Sequence, residues 1–296
     1  MRWRIKQKKF ICPSLPNGKN KGSSGSNPPK ADLGGCVRFR ATKKNITIAA
    51  VLIIALAIVL YAKAQYVVPI VMYHKIDGNS AASRLSVSPE SFKAQMSFLK
   101  RHKYNVVKLE DLAGMVRGNK LPSKTIAITF DDGYEDNYLN AYPVLKEFNL
   151  PATIFIIPAM IGSDGYLTWD QVIEMSESGV ITIGSHSLSH PWLTNQVDQV
   201  LDSEIMGSKR AIESHTRKDI YTFSYPLGGF DKNVREKVIK AGYKIAVATN
   251  PGKRYPKHDL FAMKRLRISS TSDNLFVFWF EITGFYTWIK EHRDKD

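Results

Sequence analysis

Cysteine is nearly absent from this sequence of 296 residues. Its two cysteines, Cys12 and Cys36, both lie within the first 45 positions. The rest of the chain therefore contains no internal disulfide and supports no thiol chemistry. A cysteine-free domain is compatible with export, so the cysteine count does not identify the compartment.

Acidic residues are almost missing from the same 45 positions, which contain 12 Lys and Arg but only one acidic residue, Asp32. The whole chain has 42 Lys and Arg, 27 Asp and Glu, and a formal net charge of +15. Outside the first 45 residues the balance falls to 30 basic against 26 acidic residues. The excess charge belongs to the N-terminal segment, so a basic nucleic-acid-binding domain is not expected.

Residues 1–45 are rich in Gly, Ser, Asn, Pro and Lys. This composition cannot bury enough apolar surface to offset the loss of chain entropy, so a disordered tail is predicted. Residues 46–62, in contrast, contain no charged residue and reach the short end of the lengths that span a bilayer. They are predicted to form a single transmembrane signal-anchor helix.

The charges that flank residues 46–62 predict the orientation of this helix. Four basic residues lie between positions 38 and 44, whereas Lys63 alone follows closely. The positive-inside rule then puts the tail in the cytoplasm and everything after residue 65 outside the membrane. A signal peptide cleaved at the small-residue pattern of residues 62–64 is the alternative, but a leader of this length favours an uncleaved anchor.

From residue 66 onward, strand-like and helical patterns alternate. Strands are predicted at residues 68–73, 106–109, 125–130, 152–157, 180–183, 221–224, 245–248 and 263–268, and helices at 89–103, 112–116, 141–148, 169–178, 198–216 and 231–241. Repeated βα units imply parallel strands, and seven or eight of them favour a closed or nearly closed barrel. No second domain is expected within residues 66–296.

The segment TFDDGYED, residues 129–136, follows one of the apolar strand patterns. Side chains alternate along an extended chain, so Asp131 and Asp132 should point in different directions. One carboxylate can then bind a cation while the other accepts a proton. Gly133 permits a sharp exit from the strand. Taken alone, Asp-Asp-Gly is more often only a turn.

A second group of polar residues, GSHSLSHP at 184–191, follows the strand predicted at 180–183. His186 and His190 are four apart, which on a helical turn puts both on one face and suits two nitrogen ligands of one metal. An isolated pair at this spacing is often only a surface feature. Here both groups follow parallel strands, whose carboxyl ends gather at one edge of a barrel. One Asp and two His leave a coordination position open and suit Zn²⁺, Fe²⁺, Co²⁺, Ni²⁺ or Mn²⁺.

With these motifs the sequence resembles the polysaccharide deacetylases, the NodB-homology group or carbohydrate esterase family 4. Residues 129–133 (TFDDG) are similar to the first motif of that family, and residues 186–190 (HSLSH) to the second. Residues 225–228 (YPLG) resemble the third. Residues 72–76 and 223–226 are most similar to the subgroup that acts on poly-N-acetylglucosamine. The resemblance extends over roughly residues 66–275.

This resemblance implies an α/β fold, a distorted (β/α)7-type barrel, and metal-dependent removal of N-acetyl groups from a sugar polymer. Carried over residue by residue, Asp131 is the general base and the Leu227 backbone N–H stabilises the oxyanion. The implied metal ligands are Asp132, His186 and His190. A divalent ion acidifies its bound water and polarises the acetamide carbonyl, which agrees with these roles.

Other assignments depart from the family pattern, because its later Asp-x-x-Asp-Trp and Leu-x-Ile-x-x-His motifs are not visible. His74, at the end of the first predicted strand, is predicted to be the general acid, with a structural histidine as the alternative. Ser224 or Tyr225 occupies the region where the family commonly has an Arg that pairs with the base. Arg265 on the last strand is predicted to replace it, unless it is an exposed charge.

Two aromatic features complete the sequence-based interpretation. Tyr225 and Trp169 are assigned to substrate contacts, although a core position suits Trp169 equally well. Residues 275–289 carry seven aromatic residues but are interrupted by Glu281 and too short to span a membrane. They are interpreted as a final helix covering the barrel, or as an interfacial helix that rests on the bilayer.

The sequence thus predicts a membrane-anchored deacetylase with its catalytic domain on the extracytoplasmic side and an acetylated amino-sugar polysaccharide as its partner. An O-acetyl esterase with the same metal site is one alternative. A catalytically silent glycan-binding module is another, although a binding module has no use for the spare carboxylate of Asp131. The oligomeric state, the polymer and the metal are left open by the sequence.

Overall fold

The strands predicted from residue 66 onward form a nearly closed barrel. The structure, a computed structural model, describes residues 43–78, 85–249 and 255–293. Residues 1–42 of the predicted N-terminal tail, with both cysteines, lie outside these described residues, whereas residues 43–45 belong to the first helix. The strands are β1 (Ile70–Tyr73), β2 (Lys75–Ile76), β3 (Ser86–Val87), β4 (Asn105–Val106), β5 (Thr125–Phe130), β6 (Ala152–Ile156), β7 (Ile181–Ser185), β8 (Thr222–Ser224), β9 (Ile245–Ala248), β10 (Met263–Lys264) and β11 (Leu266–Arg267).

The barrel strands are parallel and follow the order β10-β9-β8-β7-β6-β5-β1-β11. β4 lies beside the start of β5, and β2 and β3 form a separate two-stranded sheet. The predicted strand 263–268 is interrupted at Arg265: β10 pairs with β9 and β11 pairs with β1. The two ends of the sheet thus meet at one residue, whose side chain is free to enter the barrel.

The described part of the chain contains ten α-helices, and all but the first lie wholly in the same unit as the strands. They are α1 (Lys43–Gln65), α2 (Pro89–Arg101), α3 (Leu109–Arg117), α4 (Tyr142–Phe148), α5 (Trp169–Glu177), α6 (Asp198–Asp202), α7 (Ser208–Thr216), α8 (Lys232–Lys240), α9 (Leu275–Glu281) and α10 (Tyr286–Arg293). Helix α3 begins earlier than predicted, because the chain turns directly after the short β4. The single helix predicted at 198–216 contains a π-helical turn, Ser203–Gly207, between α6 and α7.

Helix α1 is longer than the 17-residue apolar run that predicted it. Within the described part of the chain, residues 44–65 form the one helix long and apolar enough to cross a membrane. The chain divides into two units after Ile53, and the second unit, Ile54–Asp296, contains every strand and the helices from α2 to α10.

Burial on both faces explains why the strand sequences are nearly continuous runs of apolar residues. Every residue of β1, β5, β6 and β9 is buried. Parallel strands with helices outside and a filled barrel inside are covered on both faces, so neither face needs polar residues. Gly184 in β7 has a packing reason, because a Cβ there would lie 2.5 Å from the Phe155 ring.

Candidate active site

A cavity of about 380 Å³ opens where the carboxyl ends of the barrel strands meet. The two aspartates and two histidines singled out in the sequence motifs line it, together with residues from β1, β11 and the loop after β8. The lining residues that matter below are His74, Asp131, Asp132, His186, His190, Tyr225 and Leu227. Parallel topology brings these distant parts of the sequence to one edge of the barrel.

Asp132, His186 and His190 form a compact group of candidate metal ligands. One oxygen or nitrogen from each residue lies within 4.8 Å of the other two. Asp132 Oδ1 is 3.6 Å from His186 Nε2 and 3.8 Å from His190 Nε2. Three donors spaced in this way can face a single ion, and an Asp/His/His set leaves positions open for water or substrate.

The protonation states of the two histidines suit a metal site. The Nδ1 atom of His186 lies 2.8 Å from the Ser224 carbonyl oxygen, so Nδ1–H donates and Nε2 is left as a lone-pair donor. Burial lowers the pKa of His186 to about 4, and burial also lowers the pKa of His190. Both imidazoles are therefore neutral at neutral pH, which is the form that binds metals.

The two histidines lie on a loop and not on a helical turn, so that part of the sequence prediction is wrong. Ser187 and His190 have positive φ angles of 61° and 64°. These turns bring the two rings to a centroid distance of 4.7 Å at 70°. The pair therefore converges by a specific loop conformation, which the spacing alone did not reveal.

Glu204 holds this loop from the π-helical turn of Ser203–Gly207. One of its carboxylate oxygens accepts hydrogen bonds from the backbone N–H groups of Leu188 and Ser189, each at 2.9 Å. The other accepts from the Ser189 hydroxyl at 2.6 Å. π-Helical turns occur frequently at functional sites, and here the turn puts a carboxylate beneath the histidine loop.

Asp131 is buried and held by Arg265. The guanidinium donates two hydrogen bonds to its carboxylate: Nη1 to Oδ1 at 2.6 Å and Nη2 to Oδ2 at 2.7 Å. Arg265 Nη2 also donates to the Ser224 hydroxyl at 2.9 Å. Burial alone would raise the pKa of Asp131, but the charge of Arg265 holds it well below its usual range. Arg265 is 2% exposed, so the alternative of an exposed charge is excluded.

Asp132 differs from its neighbour in backbone and in charge environment. Its φ angle is 73°, so the divergence of the two side chains comes from a left-handed turn as well as from strand alternation. Gly133 continues the turn with φ 74°, and a Cβ there would lie 3.0 Å from the Ile156 side chain. Burial and the charge of Asp131 raise the pKa of Asp132, against a hydrogen bond from Tyr134.

His74 reaches the same cavity from the end of β1. Its Nδ1 atom is buried and has no hydrogen-bond partner among the described residues. Burial lowers the pKa of His74, although the carboxylates of Asp131 and Asp132 oppose this shift. Its backbone is fixed by Asn137, which donates from Nδ2 to the His74 carbonyl oxygen at 2.8 Å.

Comparison with known proteins identifies the family of this fold and site. A family model described as polysaccharide deacetylase matches residues 118–246. The Bacillus subtilis protein YxkH, which carries a provisional polysaccharide deacetylase name, is 37% identical over 202 residues, covering 68% of this chain and 71% of that protein. This chain belongs to the polysaccharide deacetylase family.

Two further relatives agree with this assignment. The poly-beta-1,6-N-acetyl-D-glucosamine N-deacetylase of Staphylococcus epidermidis is 26% identical over 208 residues, which cover 66% of this chain and 72% of that enzyme. The solved structure of a Streptococcus pyogenes deacetylase in complex with acetate superposes with a TM-score of 0.65. It is 29% identical and covers 71% of this chain and 96% of that one. The polysaccharide deacetylases are hydrolases, and the nearly closed barrel is the fold of such relatives.

The remaining predicted site residues of this polysaccharide deacetylase divide into two groups. Leu227 lines the cavity, has a positive φ angle of 55° and is 62% exposed. Tyr225 borders the cavity but is fully buried, and its hydroxyl donates to the Phe261 carbonyl oxygen at 3.0 Å. Trp169 is not among the cavity residues and stacks on His215 at 3.7 Å. The structure thus favours a packing role for both aromatic residues.

Three residues support the site by hydrogen bonds that were not predicted from the sequence. Ser224 bonds both the Arg265 guanidinium and His186, Asn137 fixes the His74 backbone, and Glu204 holds the histidine loop. Asn137 follows the first motif closely, so its position was a usable signal. Glu204 lies in a helical pattern where a glutamate is ordinary, so no signal was available.

Proposed function

We propose that this chain is a metal-dependent N-deacetylase of an acetylated amino-sugar polysaccharide at the cell envelope. The observation that carries the proposal is the convergence of Asp132, His186 and His190 beside a separate, buried carboxylate. A structural metal site needs ligands alone. A hydrolytic site also needs a base that is not a ligand, and Asp131 provides it.

The ligand group fits a divalent cation such as Zn²⁺, with Co²⁺, Ni²⁺, Fe²⁺ or Mn²⁺ as other candidates. The fit rests on the tautomer that the Ser224 carbonyl imposes on His186, since this leaves Nε2 directed toward Asp132. When bound, such a cation would lower the pKa of a water molecule and polarise the acetyl carbonyl group.

Asp131 would accept the proton of the attacking water. Its pairing with Arg265 keeps the carboxyl group ionised at neutral pH, which is the form that can accept a proton. The Leu227 backbone N–H would donate to the oxygen that gains negative charge as the carbonyl carbon becomes tetrahedral. The exposed position of Leu227 at the cavity leaves room for a polymer there.

His74 would return a proton to the departing amine. An amine leaves a tetrahedral centre only when protonated, and His74 lines the cavity with a buried, unpartnered Nδ1. Because burial lowers its pKa, a proton on His74 is held weakly and is readily transferred.

The substrate is proposed from chemistry and from relatives. The Staphylococcus epidermidis relative is named for poly-beta-1,6-N-acetyl-D-glucosamine, and the cavity here is open enough for one acetylated residue of a polymer. Location is proposed from helix α1, which we take to anchor the chain with residues 66–296 on the extracytoplasmic side and residues 1–45 in the cytoplasm.

The proposal is tested with the purified full chain and a panel of N-acetylglucosamine oligomers, peptidoglycan and acetylated xylan. His186→Ala and His190→Ala should each lose bound metal and N-deacetylation together, because two ligands rarely hold a divalent ion. His215→Ala, an exposed histidine outside the cavity, is the matched control and should keep both.

The same assay separates the alternatives. Release of acetate from acetylated xylan but not from N-acetylglucosamine oligomers would identify an O-acetyl esterase. Oligomer binding without acetate release, with metal present, would identify a glycan-binding module. Retention of stoichiometric metal by a variant that carries both His186→Ala and His190→Ala would disprove the ligand assignment.

A further inference from the structure

The C-terminal segment that follows the barrel presents an unusual surface. Helix α9 buries Phe278 and Glu281, which are 0% and 8% exposed. Its outward face carries Phe276, Trp279 and Phe280, which are 70%, 41% and 39% exposed. A surface helix normally shows the reverse arrangement, with apolar residues inward and charged residues outward.

Glu281, which interrupts the aromatic run in the sequence, does not interrupt this surface. Its carboxylate turns inward and accepts a hydrogen bond from the Ser272 hydroxyl at 2.7 Å. Phe285 and Ile289, which are 38% and 36% exposed, extend the apolar surface into helix α10. We call these five exposed residues, from Phe276 to Ile289, the aromatic face.

An open groove beside the aromatic face has a basic edge. The groove has a volume of about 660 Å³ and lies between Phe276 and Trp279 on one side and Phe98 and Arg101 on the other. The exposed residues Lys100 and Lys103 flank Arg101 in the sequence. An apolar centre bordered by Lys and Arg is the composition of a surface that enters the headgroup region of a bilayer.

Contacts within the second unit of the chain put the aromatic face next to the end of helix α1. The Val67 N–H donates to the Gly284 carbonyl oxygen at 2.8 Å. Tyr66 meets Phe285 edge-on, with ring centroids 5.9 Å apart. Tyr66 directly follows Gln65, the last residue of α1. If α1 crosses a bilayer, the Phe285 end of the aromatic face therefore lies beside the point where the chain leaves that helix.

We infer that the aromatic face inserts into the interfacial region of the membrane that α1 crosses, as a second attachment of the catalytic domain. Trp and Phe are typical of the apolar face of helices that lie in this region, and Arg101 would meet anionic headgroups. This inference rests on the membrane anchor of the proposed function.

Insertion would give the catalytic cavity a defined orientation. Tyr66 precedes β1, whereas His74 follows it at the cavity, eight residues further along. At about 3.3 Å per extended residue, these eight residues span at most roughly 25 Å, so the cavity would lie no further than this from Tyr66, at the opposite end of β1. The enzyme would then deacetylate only those polymer strands that pass close to the membrane.

The test uses the full chain in lipid nanodiscs that contain a spin-labelled lipid with the label at a shallow depth. Lipid-dependent quenching of tryptophan fluorescence is compared between the wild type, Trp279→Phe and the matched control Trp169→Phe. Trp169 stacks on His215, away from the aromatic face. Trp279→Phe should lose at least twice as much of the lipid-dependent quenching as Trp169→Phe. Aqueous iodide should quench Trp279 less in nanodiscs than in detergent.

Every other outcome contradicts the inference. If the two variants lose equal amounts of lipid-dependent quenching and iodide still quenches Trp279, the aromatic face is exposed to water and lipid does not contact it. Protection from both quenchers would mean a cover of protein, such as a second copy of the chain. Protection from iodide by added N-acetylglucosamine oligomers in detergent would mean a glycan surface. Deacetylation is measured on the same nanodiscs, so an active, incorporated enzyme with unquenched Trp279 disproves only this inference. A chain that does not incorporate disproves the anchor as well.

Discussion

The two adjacent carboxylates of the first motif have opposite electrostatic environments. Arg265 lowers the pKa of Asp131 against the effect of burial, whereas burial and the neighbouring charge raise the pKa of Asp132. Titratable groups whose pKa values are moved apart are characteristic of sites that divide roles. Asp132 gains most from a cation beside it, because the cation removes the cost of its charge. Asp131 is already compensated by Arg265 and has no need of the cation.

The division of roles predicts different results for two conservative substitutions. Asp131→Asn should leave bound metal near the wild-type amount and lower turnover by about 10²–10⁴-fold, the usual contribution of a positioned general base. Asp132→Asn should lose metal and activity together, because a ligand is removed. Metal content by elemental analysis and acetate release measure the two effects. An equal loss of metal in both variants would make Asp131 a ligand.

His74 is the residue whose assigned role depends most on chemistry and least on motif. Its pKa is lowered by burial, so the proton is retained only toward acidic pH and N-deacetylation should decline as pH rises through this lowered value. His74→Ala should spare folding and metal binding but slow N-deacetylation by about 10²–10⁴-fold. An acetate ester with a good leaving group needs no acid, so its hydrolysis should fall much less.

The comparison of amide and ester substrates decides between acid catalysis and positioning. Equal slowing of both substrates by His74→Ala, or loss of metal, would make His74 a structural residue. Asp131 would then serve as base and acid in turn. His215→Ala, which changes an exposed histidine outside the cavity, should alter neither substrate.

At the scale of elements, two π-helical turns support the site. Asn137–Ala141 carries Asn137 to the His74 backbone, and Ser203–Gly207 carries Glu204 to the histidine loop. Partners that orient metal ligands typically contribute 10–100-fold to metal affinity. Glu204→Gln keeps the side-chain shape but cannot accept all three hydrogen bonds. It should weaken metal binding by about 10–100-fold, and activity should be restored by excess metal.

The control for Glu204→Gln is Glu236→Gln on α8, whose partner Lys232 is 3.9 Å away and largely exposed. Metal affinity by competition with a chelator should be unchanged in this variant. If excess metal fails to restore the activity of Glu204→Gln, the carboxylate supports more than the position of the metal ligands.

The barrel strands and the grouping of the site were predictable because they follow from local pattern and parallel topology. An apolar run such as residues 125–130 forms a buried strand when it alternates with helices. The strands of such an array are parallel, so their carboxyl ends lie at the same edge of the barrel. Whether Arg265 pairs with Asp131 or is an exposed charge could be decided only by the structure. Its burial depends on the interruption between β10 and β11, which no local pattern encodes.

Loop conformation and side-chain surroundings were the parts that sequence could not supply. The convergence of His186 and His190 depends on positive φ angles at non-glycine residues, which have no reliable signature. Trp169 follows a helix cap, where a stacking surface and a packing residue look the same. Its ring proves to be covered by His215, an exposed helix residue 46 positions away in the sequence.

At the scale of the whole molecule, the barrel separates two tasks between its ends. The carboxyl ends of the strands carry the cavity, whereas the start of β1 adjoins the end of α1. This separation would let the proposed membrane attachment and the open cavity coexist without competing for the same surface. It also makes function depend on topology, because the polymer and the cavity must be on the same side of the bilayer.

The orientation of the chain can be tested with its own cysteines. Because Cys12 and Cys36 are the only cysteines and both precede α1, a thiol reagent reports on the N-terminal side alone. A variant with both replaced by serine and with Asp164→Cys, in an exposed turn, reports on the catalytic domain. The positive-inside rule predicts that a membrane-impermeant maleimide labels Asp164→Cys on intact cells, or on spheroplasts where an outer membrane is present. Cys12 and Cys36 should react only after permeabilisation. The reverse pattern would put the catalytic domain in the cytoplasm and remove an extracellular polysaccharide as its substrate, whatever its activity in vitro.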